Sequence, residues 1–134
     1  MANDLYLDLG GDFQWTASGD LALTSGPTLT KQRLARRIFT NPSSTQGAGS
    51  PGDYFFHPEY GGGCGNLIGR VTSGGSLQVL QQRVAAQARL ESGVASNPPP
   101  QVSVRAIAGG EVDLAIRYTD AQGRAAQASF TATS

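Results

Sequence analysis

The sequence predicts an α+β domain: N-terminal β-hairpins, two main helices and a C-terminal three-stranded antiparallel sheet. Three observations predict it. Apolar and polar residues alternate near the start and again after Pro100, the period of half-buried strands. Two intervening segments, 28–40 and 76–91, place their apolar residues at helical spacing. Pro98-Pro99-Pro100 then enforces an extended connector between the second helix and the final strands, because proline fixes φ and the residue before it avoids helix.

At the N-terminus, Leu5, Leu7 and Leu9 alternate with polar residues, and Phe13 and Trp15 precede the pair Leu21 and Leu23. Short strands joined by tight turns at Gly10-Gly11 and Ser18-Gly19 follow from this pattern. Along the first helix, Leu34, Ala35, Ile38 and Phe39 gather on one face and Arg33, Arg36 and Arg37 on the opposite one, until Asn41-Pro42 stops it. Residues 41–53 offer no apolar side chain larger than Ala48 and read as a loop. Tyr54, Phe55, Phe56 and Tyr60 then crowd together before Gly61-Gly62-Gly63, an aromatic lid ending in a sharp exposed turn, and residues 64–70 are read as a short helix. Ser76 is the predicted N-cap of the second helix, which runs through Leu77, Leu80, Val84 and Ala88 toward a stop at Gly93. Three strands complete the chain: one on Val102, Val104 and Ala106, one on Val112 to Tyr118 across a Gly109-Gly110 turn, and a weak one from Arg124 to Thr133. Apart from Phe130, that last strand offers Ala and polar side chains, the pattern of an edge.

The chain has 134 residues, enough for one core that hides roughly two-thirds of the unfolded surface. Ten Lys and Arg balance ten Asp and Glu, so no global field recruits nucleic acid or an anionic membrane. All the basic residues but Lys31 are Arg, which favours bidentate pairing at protein interfaces. One cysteine cannot form an internal disulfide, and the start of the chain lacks the basic flank and apolar run of a signal peptide; a reducing cytoplasm is the expected site of maturation. No stretch reaches the roughly 18–20 apolar residues that cross a bilayer.

Catalytic patterns are sparse. The spacing of Gly47-Ala48-Gly49-Ser50-Pro51-Gly52 fits a dinucleotide motif, but no strand precedes it and Pro51 blocks the helix. Lys31 is followed by Gln32, so no phosphate loop exists. Cys64 with His57 is the one pair that could act as nucleophile and base; the competing reading is a small packed thiol and a turn histidine. One Cys and one His cannot supply the usual zinc ligand set, and the N-terminal Asp residues serve turns. No cofactor and no metal is expected.

Three stretches carry a resemblance: 4–8 with 11–13 and 19–26 (GDLALTSG), then 32–42 (QRLARRIFTNP), then 52–61 (GDYFFHPEYG). In order and spacing, over residues 4 to about 67, they are similar to the baseplate wedge, or sheath initiator, family of contractile phage tails. Relatives of that family include a type VI secretion baseplate subunit and a bacterial anti-adaptor of the stress response, so the fold alone does not fix the role. The resemblance implies a structural protein, not an enzyme, present in several copies per baseplate, assembled in the host cytoplasm and carried in the virion. Its partners would be tail sheath protein and baseplate wedge and hub proteins, with no nucleic acid and no membrane. The residues expected to meet partners are Arg33, Arg36 and Arg37, His57 and Tyr60, and Ala126, Ala128 and Phe130 on the last strand, which would accept a sheath strand at its edge. Where many members carry Glu-Pro-Arg after the second helix, this chain has Pro99-Pro100-Gln101, and the wedge contact of that motif is not carried over. Two alternatives stand beside this reading: a cysteine-dependent hydrolase using Cys64 and His57, and a soluble adaptor of the same fold. On the structural reading, Cys64→Ser leaves stability nearly unchanged, and changing all three helix arginines to Glu preserves the fold while abolishing docking.

Overall fold

A computed structural model describes residues 3–7, 12–43, 52–54, 56–64 and 74–132. Among them the elements follow in the order β1 (Asp4–Leu5), β2 (Leu23–Thr24), α1 (Gly26–Phe39), α2 (Gly74–Arg89), β3 (Gln101–Ile107), β4 (Glu111–Thr119) and β5 (Ala125–Ala132). The architecture is α+β, with a two-stranded sheet β1-β2 and a three-stranded antiparallel sheet β3-β4-β5.

The larger sheet is built on β4, whose alternate residues Val112, Leu114, Ile116 and Tyr118 are buried. Register places Val104 and Phe130 either side of Leu114, and Val102 and Ala128 either side of Ile116, so one face is continuously apolar. Both helices cover that face: α2 packs on β3, and α1 packs on α2 and β5. They bring Leu34, Ala35 and Ile38 from α1 and Leu80, Val84 and Ala88 from α2 into one core with Cys64. The Ala-rich character of β5 has its reason here, since small inner side chains let α1 lie close while Phe130 meets Phe39 edge-on, ring centroids 6.0 Å apart. The opposite face is polar. Its Arg105–Asp113–Thr131 rung is tied by a 3.2 Å ion pair and a 2.9 Å hydrogen bond from the Thr131 hydroxyl.

Helix limits shift from the periodic reading. α1 starts at Gly26, ahead of Thr28, because Pro27 in its first turn already holds helical φ. α2 starts at Gly74, so Ser76 lies inside the helix and does not cap it, and it ends at Arg89, before Gly93. The glycines Gly109 and Gly110, with φ of 85° and 79°, make the β3-β4 turn as read from the sequence.

The N-terminal strands form a small meander, with β1 antiparallel to β2 and single bridges Leu7–Phe13 and Trp15–Leu21. The Ser18-Gly19 turn is present, with Gly19 at φ 87°; the predicted Gly10-Gly11 turn lies outside the described residues, as do most of the 41–53 loop and of the predicted helix at 64–70. Gln32 ties the meander to α1. Its side-chain amide donates to the Leu5 carbonyl at 2.9 Å and accepts from the Leu7 amide at 3.0 Å, completing two backbone groups as a neighbouring strand would.

The β4-β5 turn rests on Asp120, whose carboxylate accepts the amides of Gln122 (2.9 Å) and Arg124 (2.8 Å) and pairs with the Arg124 guanidinium at 3.4 Å. These bonds, the Arg124 amide foremost, hold the carboxyl below its ordinary value. A depressed pKa contributes stability that is present above the unfolded-state value and lost as pH falls through the folded one. Acid unfolding of Asp120→Asn is therefore expected to show a shallower loss of stability below the ordinary carboxylate range than the parent protein, measured by urea melts across that range.

Candidate functional site

A helix ends with carbonyls that lack partners in their own chain turn, and α1 solves this with the glycine segment. The Gly62 amide donates to the Arg37 carbonyl at 2.8 Å and the Gly63 amide to the Thr40 carbonyl at 2.9 Å. Gly61, Gly62 and Gly63 are buried there. The exposed sharp turn expected from the sequence is thus corrected: these glycines lie against the helix end because only backbone without side chains fits so close.

The aromatic segment before them is stitched to the residues after α1. Asn41 donates its amide to the Asp53 carboxylate at 2.8 Å and accepts the Asp53 amide at 2.9 Å, while Ser43 donates both its amide and its hydroxyl to the Pro58 carbonyl. Tyr54 meets Tyr60 edge-on at 5.4 Å, and the Arg37 guanidinium lies 4.9 Å from the Tyr60 ring centre. Burial pushes the Tyr60 phenol above its ordinary value, against the opposing pull of Arg37. Phe56 is 86% exposed, and Phe55 lies outside the described residues.

Arg37 also faces Glu91, with Nε 3.5 Å from a carboxylate that is 5% exposed. The charges are close enough to pair, but Nε makes no aligned hydrogen bond, and the Asn41 and Gln87 side-chain oxygens are likewise buried without one. All three belong to residues around the glycine segment; Gln87 and Asn41 approach the positions where Gly62 and Gly63 would carry a Cβ.

The predicted partner residues fall into different settings. The three arginines do not share one solvated face. Arg36 reaches Asp4 at 3.8 Å, Arg37 turns inward to Glu91, and Arg33 has no ion pair among the described residues. The reason is that α1 is contacted on three sides, by the meander, by α2 and by the glycine segment. His57 is exposed and Tyr60 half-buried. On β5, Ala128 and Phe130 are core residues and Ala126 is partly buried, so what that strand offers a partner is its outer backbone edge and not those side chains. Glu91, Gln32 and Gln87 hold α1 to its surroundings without any signal in the sequence pattern.

Cys64 is fully buried, with Sγ 3.8 Å from the Gly62 carbonyl. Burial pushes its thiol up to about 11, against a smaller opposing effect of Arg83. A nucleophilic cysteine needs the reverse, a stabilised and reachable thiolate. The thiol is expected to react with maleimide at pH 7 on the order of a hundredfold more slowly than an unperturbed cysteine, each pKa unit being about tenfold in thiolate, and to label at the ordinary rate in denaturant. Full burial also revises the expectation for Cys64→Ser. A hydroxyl replaces a packed sulfur, and a loss of about 1–2 kcal/mol in urea melts is expected.

Among the described residues, the N-terminal meander presents a cluster of exposed large apolar side chains. Directly paired residues share a face, as do residues two apart, so Leu5, Leu7, Phe13, Trp15, Leu21 and Leu23 all point to one side. Trp15 is 68% exposed, Leu23 64% and Phe13 48%. Among the described residues, no three His, Cys, Asp or Glu side chains gather as a metal site, and no helix is long and apolar enough to cross a membrane. No protein-family model, curated protein or solved structure matches the chain.

Proposed function

We propose that this protein is a structural part of a contractile phage-tail baseplate, joining the inner wedge and hub to the first ring of sheath. The observation that carries a binding role is the uncovered N-terminal face, where Trp15, Leu23 and Phe13 stand together in solvent. Contiguous apolar surface of this kind marks interaction sites on soluble domains. The choice of assembly rests on the resemblance of residues 4–67 to the sheath initiator family. In this reading several copies ring the hub, the N-terminal face meets wedge or hub, and the outer edge of β5 accepts a strand from a sheath subunit. That edge suits strand addition because, among the described residues, β5 pairs with β4 alone, and it carries no Pro.

Deleting residues 124–134 is not a clean test, since Ala128 and Phe130 belong to the core. Prolines placed singly at Gln127 and Ser129, kept only where circular dichroism shows an intact fold, test the edge instead. Baseplates carrying such a variant are expected to lose attached sheath while retaining wedge proteins. Normal sheath polymerisation would refute strand addition at this edge. Failure of the parent protein to co-purify with any wedge, hub or sheath protein would refute the baseplate role and favour a soluble adaptor.

A further inference from the structure

Charge is unevenly placed along this chain, which is neutral as a whole. Asp4, Asp8, Asp12 and Asp20 precede the first basic residue, Lys31, so the segment that builds the meander carries acidic side chains and no Lys or Arg. Asp4 is taken up by Arg36 at 3.8 Å, whereas Asp12 and Asp20 are exposed and have no ion pair among the described residues. The Asp20 carboxylate accepts the Ser18 hydroxyl at 2.9 Å, a turn contact that leaves its charge in place.

These two carboxylates border the apolar face. Asp12 precedes Phe13 and Asp20 precedes Leu21 in the chain, and consecutive Cα atoms about 3.8 Å apart put both charges within the roughly 8 Å screening length of physiological salt from that face. Whatever covers Phe13, Trp15 and Leu23 therefore meets negative potential. A second copy docking by the same face would set Asp12 and Asp20 against their own counterparts. An anionic membrane is repelled for the same reason, although exposed Trp and Leu would otherwise suit a lipid interface. Strand addition beside β1 is closed as well, since Gln32 already holds the Leu5 carbonyl and the Leu7 amide. The partner that fits meets the face and not that edge, and brings an apolar stripe with cationic flanks, the pattern of an amphipathic helix rich in Lys or Arg.

We propose that the N-terminal face docks a basic amphipathic helix of a partner protein, with its apolar stripe on Phe13, Trp15 and Leu23 and its flanking Lys or Arg side chains toward Asp12 and Asp20. Apolar contact alone would not select among partners, because it has no direction. The two unpaired carboxylates supply the selection, attracting cationic flanks and turning away acidic ones. The proposal rests on reading this face as an interaction surface, and it adds the chemistry of what covers it.

Trp15 is the one tryptophan of the chain and is 68% exposed, so its emission reports this face alone. The test titrates the purified full chain with a Leu/Lys peptide of about 14 residues, some four helical turns, whose leucines fall on one face. A scrambled peptide of the same composition, a Leu/Glu counterpart and phosphatidylserine–phosphatidylcholine vesicles are run in parallel. A saturable blue shift of Trp15 is expected with the helical Leu/Lys peptide, weakening as salt is raised, and none with the Leu/Glu peptide or the vesicles. Asp12→Asn combined with Asp20→Asn is expected to weaken binding about threefold or more, and Leu23→Gln about tenfold or more. Phe13→Gln stands as the second apolar variant if circular dichroism shows Leu23→Gln to perturb the fold. The proposal is overturned if the helical Leu/Lys peptide gives no saturable shift, if the scrambled peptide, the Leu/Glu peptide or the vesicles shift Trp15 equally, or if the aspartate variant binds like the parent. A blue shift that grows with protein concentration alone would overturn it in favour of a second copy. Failed titration beside successful co-purification with wedge or hub proteins overturns this proposal and leaves the baseplate reading standing, and the converse pair of results does the reverse.

Discussion

Arg37→Glu is expected to lower stability by about 3–5 kcal/mol, a large share of what a domain of this size holds. The guanidinium has two neighbours that the change would set against it. Glu91, 5% exposed and now 3.5 Å from Nε, would lose its cation and face a second carboxylate on α1, and the Tyr60 ring would face an anion where it now faces a cation. Arg33→Glu serves as the control. Arg33 has no ion pair among the described residues, and its reversal is expected to shift stability by no more than about 0.5 kcal/mol. Urea melts of the two variants separate the settings, and equal melts would show that the Arg37–Glu91 pair is as solvated as a surface pair. A further variant, Arg37→Met with Glu91→Leu, is expected to recover most of the loss, because the harm comes from an uncompensated buried charge and not from the absence of a bond. In place of the expectation that all three helix arginines can be reversed without harm to the fold, Arg33→Glu is expected to be tolerated and Arg37→Glu is not.

The large elements were legible because each depends on a local period. β4 shows Val112, Leu114, Ile116 and Tyr118 at spacing two, and α1 shows Leu34, Ala35 and Ile38 at helical spacing; both patterns survive folding since each element has one buried face. Helix starts were less legible. Ser76 is a good cap by residue type, but α2 extends past it to Gly74. The weak look of β5 was read correctly as an edge, while the burial of Ala128 and Phe130 followed from the position of α1, which no period in β5 encodes. The arginines show the limit most plainly. Arg33, Arg36 and Arg37 differ only by position along one helix, yet their settings depend on Asp4 and Glu91, which lie 32 residues before and 54 after them in the case of Arg36 and Arg37 respectively. Gln32 likewise reads as an unremarkable polar residue until its amide is placed between Leu5 and Leu7. Cys64 beside three glycines reads first as a packed thiol, with a nucleophile as the rival, and what separates the two is burial, a property of the core that forms around it.

Gly61→Ala is expected to be the most damaging small substitution at the helix–glycine junction, costing about 3 kcal/mol or more. Two effects add at this position. Its φ of 110° lies where L side chains are rarely found, and a Cβ built there would fall on the Thr40 carbonyl, backbone that cannot rotate away. Relief requires moving the glycine segment off α1, which breaks the bonds from the Gly62 and Gly63 amides to the Arg37 and Thr40 carbonyls and loosens the packing of Cys64 behind them. Gly123→Ala isolates the first effect. At φ 80° it is strained in the same sense, but nothing lies within 4 Å of its Cβ position, so a loss of only about 1–2 kcal/mol is expected. Thermal and urea melts of both variants give the difference, and amide hydrogen exchange locates it: in Gly61→Ala the Gly62 and Gly63 amides are expected to lose protection, while in Gly123→Ala they retain it. Equal destabilisation by the two variants, with those amides still protected in Gly61→Ala, would show that the glycine segment is not what closes the end of α1.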